Sequence, residues 1–227
     1  MSDRLSMHPY VDDLSLCADE IPILTACAQL PRLTGRCSRR FDRYYGALAE
    51  SFVRFCRVKL FPSAESEYRK ALSDAAPLPQ WHAELTTAIT FHSDRLVSLH
   101  TDVTLTGMPQ RQLYRRGDTW DLSRGLLLSV QDCFPPHTSC RRRLTDAAEA
   151  QIQTQQAQGI SLYCEDWRSR LRRNFDPHRF YLTEDALCFF YPLYAIAPAV
   201  EGIPPFSLPY DIEQGPFLPK TKEKDRL

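Results

Sequence analysis

A chain of 227 residues, 43% apolar and 25% charged, has globular composition and room for one large domain or two small ones. Its 28 basic and 28 acidic residues cancel, which argues against a dedicated nucleic-acid binder, whose surface carries a basic surplus. The longest apolar stretch, Ala186 to Val200, is broken by Pro192 and Pro198 and is too short for a membrane span.

In chain order, the first twenty residues show neither a signal-peptide core nor a clear period, and are expected to be loosely ordered in a cytoplasmic protein. Residues 21–33 read as a strand, with Ile23, Thr25, Cys27 and Gln29 alternating against Leu24, Ala26, Ala28 and Leu30. A helix follows from Ser38, with Phe41, Tyr44, Tyr45, Leu48, Phe52 and Phe55 on one stripe. Pro62 is expected to interrupt it, with Ser63 capping a second helix. After the proline-rich 74–80 the period becomes two. Residues 82–92 and 95–107 predict a β-hairpin turning near Ser93–Asp94, and 111–122 predict a further strand. Gly125 marks a turn before the Leu-rich 126–134. Thr138 or Ser139 caps a helix carrying Leu144, Ala148, Ile152 and Gln155 on one face, and Gly159 stops it. A short helix near 165–175 leads to a hairpin over 179–191 with its turn at Thr183–Asp185. Strands clustered this way, with helices between the clusters, indicate an α+β fold with a largely antiparallel sheet and two or three packed helices.

The segment from Tyr194 to Asp211 carries four prolines among apolar residues. Each proline removes a backbone donor, so a fully paired central strand is excluded. An edge strand that covers the core, with Gly202 allowing a bend, is the expectation.

Here the sequence resembles a known family. Asp121, Leu122 and Gly125 stand in an Asp-Leu-x-x-Gly turn. Phe180, Tyr181, Leu182, Thr183 and Asp185 follow, then Tyr194, Ile196, Ala197 and Pro198, and finally Gly202, Ile203, Pro204, Phe206, Pro209 and Tyr210. Together they resemble the carboxy-terminal domain of the RsiV anti-sigma factor over about residues 112–212. The resemblance implies an amino-terminal part (1–20), a smaller strand–helix–hairpin domain (21–110), an RsiV-type domain (111–213) and a charged tail (214–227). It also implies a binding role: the anti-sigma relative is exported and binds lysozyme, and where such domains accompany a polysaccharide deacetylase, the deacetylase holds the catalytic residues. The expectation is therefore a non-enzymatic module, without cofactor, that recognises a protein (lysozyme-like by resemblance) or a glycan through Phe206, Pro209 and Tyr210. Departures from the family pattern are Thr106 to Gln112 in place of a Gly-Gly-Ala-His-like turn, and Ala186 at the usual turn glycine.

The alternative is a small metal-dependent hydrolase built on two His-x-Asp pairs, His92 with Asp94 and His100 with Asp102, since residues two apart on a strand share a face. The eight cysteines contain no Cys-x-x-Cys and no zinc-like spacing to histidine, so they read as apolar thiols. Cys133, four residues before His137, reads as a core thiol at a strand end. The basic runs 36–43, 140–143 and 168–173 read as solvated helix faces rather than a phosphate patch.

Overall fold

The computed structural model describes residues 4–35, 38–110 and 112–219. The fold is α+β, with a larger sheet in strand order β1-β2-β3-β4-β5-β6 and a smaller one in order β7-β8-β9. The chain divides into two compact units, Met1–Thr87 with Thr101–Tyr114, and Ala88–His100 with Arg115–Leu227. The tip of the first predicted hairpin, Ala88–His100, groups with the second unit.

The first unit opens with β1 (Arg4–Ala18) and β2 (Ile21–Thr34), an antiparallel pair running from Arg4↔Thr34 to Ala18↔Ile21. This corrects the expectation of a loose amino terminus. The strand is hard to read because it lies at a sheet edge and its register shifts three times, including the step from Pro9 to Val11, so apolar and polar residues do not alternate strictly. Its turn is also concealed. Asp19 and Glu20 both adopt positive φ, 48° and 65°, where glycine or asparagine is the usual signal. In β2 the Leu24, Ala26, Ala28 and Leu30 face is buried, as the alternation predicts.

Two helices, α1 (Ser38–Phe55) and α2 (Phe61–Ser73), are joined without a break by a π-helical turn, Cys56–Leu60. The predicted interruption at Pro62 does not occur. Pro62 sits at the start of α2, where the missing N–H costs little beside the wider π turn. Ser63 is not a cap; its hydroxyl donates back to the Lys59 carbonyl at 3.3 Å. The π turn also keeps the buried stripe in line. Phe52, Cys56, Leu60, Ala64 and Tyr68 recur every four residues, a spacing that would drift around a regular helix of 3.6 residues per turn. At the entry to α1, Asp42 accepts the Leu33 backbone N–H at 3.0 Å. This helical crossover returns the chain to β3 (Trp81–His92), which pairs in parallel with β2 from Leu24↔Trp81 to Ala28↔Leu85.

A hairpin closed by the Ser93 N–H on the Leu96 carbonyl at 2.8 Å leads to β4 (Leu96–Thr106), followed by β5 (Gln112–Asp121). Thr87 and Thr101 hydroxyls meet at 3.0 Å across the hairpin.

In the second unit Gly125, at φ 64°, turns β5 into β6 (Leu126–Leu127), which pairs Trp120↔Leu127 and Asp121↔Leu126. The Leu-rich 126–134 holds only this two-residue strand. Asp132 closes a capping box with Ser129 and winds Val130–Cys133 into a 3-10 turn instead. Ser139 caps α3 (Cys140–Ala157), which buries Leu144, Ala148 and Ile152. α4 (Trp167–Arg173) buries Trp167 and Leu171. The closing sheet consists of β7 (Phe180–Leu182), β8 (Ala186–Phe190) and β9 (Pro205–Pro209), both pairings antiparallel. The predicted turn Thr183–Asp185 joins β7 to β8.

One buried hydroxyl ties three strands of this unit. Ser98 on β4 lies 2.7 Å from the Thr119 hydroxyl on β5 and accepts the Leu182 N–H of β7 at 2.7 Å. Ser98→Ala strands both partners in the core and is expected to destabilise by about 1–3 kcal/mol, read as a fall in the urea midpoint with an unchanged slope. A loss below a few tenths of a kcal/mol would mean that this junction carries no strain when unpaired.

Candidate functional site

The segment singled out in the sequence forms the closing edge. Among the described residues β9 pairs only with β8, from Ala186↔Pro209 to Phe190↔Pro205. Ser207 directs both backbone groups away from β8. Its N–H donates to Gln151 Oε1 at 3.2 Å, and its carbonyl accepts from Gln151 Nε2 at 2.8 Å. By the alternation of a strand, Pro205 and Pro209 face outward as well, and neither has an N–H to offer. One side-chain amide and two prolines therefore close this edge to further strand pairing.

Of the three residues expected to rim a recognition surface, Phe206 is fully buried, between the rings of Phe189 at 5.6 Å and Tyr191 at 5.9 Å. It is a core residue, which corrects the sequence expectation, and the physical reason is the strand alternation that turns 206 inward while 205 and 207 face out. Tyr210 is half-buried, and its hydroxyl donates to the Thr183 carbonyl at 2.8 Å, locking the end of β9 to the β7–β8 turn. Burial pushes its phenol well above the ordinary tyrosine range. Pro209 alone of the three is exposed.

The His-x-Asp pairs do not converge into a metal centre. His92 ends β3 and Asp94 lies in the following turn, both exposed, so the alternation needed to put them on one strand face is lost. His100 and Asp102 lie within β4 and are half-buried, with the His100 ring 5.1 Å from that of Tyr181. Among the described residues no group of three or more His, Cys, Asp or Glu side chains is placed to hold a metal ion.

Cys133 is buried in the 3-10 turn rather than at a strand end, and burial pushes its thiol up to about 12; Cys56 on the π turn is pushed up to about 11. Both stay protonated at neutral pH and pack as small apolar residues. Cys17 is exposed, and Cys37 lies outside the described residues, as do 220–227 of the expected charged tail. Residues 214–219 do have described structure: the Phe217 N–H donates to the Cys133 carbonyl at 2.8 Å.

Two surface features emerge that sequence reasoning missed. The first is a cleft of about 290 Å³ bordered by Arg116, Asp118, Leu127, His178 and Arg179. Its charges are largely matched internally, Arg116 with the buried Asp118 at 3.0 Å and Arg179 with Asp176 at 3.5 Å. The second is apolar. The Leu162 N–H donates to Glu201 Oε1 at 2.8 Å and the Cys164 N–H to the Ile196 carbonyl at 3.0 Å, which lays 160–164 alongside 194–201. Large apolar side chains stand out along these segments: Ile160 is 65% exposed, Leu162 62%, Tyr194 50% and Val200 80%. Tyr194 holds φ at 64°, which a non-glycine residue adopts at a cost, with its carbonyl 3.5 Å from Arg170 Nη1 and the next carbonyl accepting from Asn174 Nδ2 at 3.3 Å. The only sequence signal for this surface was the apolar character of 194–203 itself.

These features define a two-unit α+β protein with a proline-closed edge on its smaller sheet. Residues 131–211 match the model of a family described as "Protein of unknown function (DUF3298)". The fold is shared with a DUF3298 family member from Bacteroides fragilis, at 14% identity and a TM-score of 0.64, over 92% of this chain and 90% of that one. It is also shared with a DUF3298 family protein from Pseudomonas aeruginosa, at 20% identity and a TM-score of 0.51, over 92% and 89% of the two chains. No curated protein matches the chain. Among the described residues no helix is long and apolar enough to cross a membrane.

Proposed function

We propose that this protein is a non-enzymatic binding module that recognises a protein through the apolar surface of Ile160, Leu162, Tyr194 and Val200, beside rather than on the last strand. The observation that carries the reading is that two hydrogen bonds hold 160–164 against 194–201, segments that between them carry four large apolar side chains, each at least half exposed. A fold has no stabilising use for such residues in water, and contiguous apolar surface of this kind is what protein partners cover. The backbone at Tyr194 supports it, because its φ of 64° is costly for a non-glycine residue and such strain concentrates at functional sites. The RsiV resemblance makes a c-type lysozyme the first partner to test.

The test is a calorimetric titration of the reduced protein with c-type lysozyme, alongside Val200→Asp. Binding weakened about tenfold or more by the substitution is the expected result, since a carboxylate would be desolvated in the contact. Equal affinity in the variant would place recognition elsewhere, and no heat at high micromolar concentration would remove lysozyme as the partner.

A further inference from the structure

Two of the three basic runs in the sequence meet in the fold. α3 and α4 lie side by side, with Arg141 Nη2 donating to the Arg172 carbonyl at 2.6 Å and Arg168 pairing with Glu149 at 3.0 Å. The start of α3 thereby joins the end of α4, and Arg141, Arg142, Arg143, Arg172 and Arg173 share one region.

Stability does not account for all of these charges. Arg172 and Arg173 suit the last turn of α4, where the helix dipole favours cations. Arg141, Arg142 and Arg143 sit at the opposite kind of site, the positive end of an 18-residue helix with no acidic residue in its first turn. Local compensation is thin. Arg142 reaches Asp146 at 3.7 Å across an exposed surface, where such a pair contributes little. Arg143 donates to the neutral Gln214 at 2.8 Å. Its charge also helps hold the Asp211 carboxyl below the usual range, but the larger cause there is that Asp211 accepts the Gln214 and Glu213 N–H groups. Arg141 lies over the Phe175 ring at 5.9 Å, and Arg141, Arg172 and Arg173 form no ion pair with a described carboxylate. An arrangement that breaks the dipole rule three times in a row with only weak local offsets marks a site kept for something other than stability.

We propose that this arginine patch docks an acidic segment of a partner protein. The guanidinium fork matches carboxylates in two-bond geometry, and five such groups on two adjoining helix ends suit several carboxylates in succession. A depression directly before α3 is lined by Gln131, Asp132, Phe134, Pro136, His137, Thr138 and Ser139; its one carboxylate, Asp132, already accepts from the Ser129 N–H and hydroxyl, and Pro136 offers some apolar wall. A nucleic acid fits less well, because the chain has no basic surplus. The proposal stands independently of the apolar surface above.

The test is fluorescence anisotropy with fluorescein-labelled decaglutamate, comparing the unmodified chain with Arg142→Glu/Arg173→Glu and with Arg57→Glu, a reversal on the π turn of the first unit. Both arginines of the double variant are exposed, so folding should survive, and a thermal melt verifies it. Saturable binding that weakens about tenfold or more in the double variant, falls as salt rises from about 50 to about 200 mM, and is unchanged by Arg57→Glu is expected. The proposal is overturned by no saturable change, by equal loss in Arg57→Glu, or by tighter binding of labelled oligothymidylate or a heparin-derived octasaccharide than of the peptide.

Discussion

Gly117→Ala is expected to destabilise the protein by about 3 kcal/mol or more, at or above the upper end of what overpacked sites usually cost. A Cβ at this position would lie 2.7 Å from the Phe180 carbonyl carbon and closer still to its oxygen. The obstacle is backbone, so no side-chain rotation relieves it, and β5 and β7 must separate. Separation would pull on the Ser98 junction, whose hydroxyl reaches Thr119 on β5 and Leu182 on β7 at 2.7 Å each. Gly117 does not carry a positive φ, so the effect is one of space alone. Gly46 supplies the control. It lies within α1, where an added methyl would meet nothing within 4 Å, and Gly46→Ala is expected to stabilise by about 0.5–1 kcal/mol through helix propensity. Urea denaturation of both variants checks the pair. A loss under about 1 kcal/mol at Gly117 would show that the two strands yield easily.

Phe206→Ala is expected to cost about 3–5 kcal/mol, the range for truncating a fully buried aromatic residue. The ring fills the space between Phe189 and Tyr191 and so joins the last strand to the core, in a sheet of only three strands. Phe206→Leu, which retains most of the volume, should lose about 1.5 kcal/mol or less. Pro209→Ala, on the exposed face, should stay within about 0.5 kcal/mol. The ordering matters for function. If Phe206→Ala left the melting temperature unchanged but abolished partner binding, the residue would return to the recognition surface and the present assignment of it to the core would be wrong.

The closing segment shows how residue type and placement divide the work. Four prolines in apolar surroundings told of an edge strand, because a proline cannot serve a central ladder. Which faces they took was settled by the register Cys188↔Ser207, which sends Pro205 and Pro209 outward and Phe206 inward. The same composition had suggested a rim of Phe206, Pro209 and Tyr210, and one of the three is core. A list of residue types carries no register; a one-residue shift exchanges the faces.

Local periodicity and turn chemistry, read from the sequence by itself, determined the strand at 21–34, the helix from Ser38, the β3–β4 hairpin, the capped helix α3 and the hairpin over 180–190. These features arise from neighbours within a turn or a strand, and such forces leave a period in the chain. Only the tertiary structure decided the rest. The bulged edge strand β1 has no period, because its order comes from pairing with β2. The π turn absorbs a proline that should have broken a helix. Gln151 covers an edge 56 residues away, and Arg141 reaches Arg172 across 31 residues to bring two basic runs together. Contacts between residues so far apart depend on how the elements pack, and no short-range pattern in the chain encodes that.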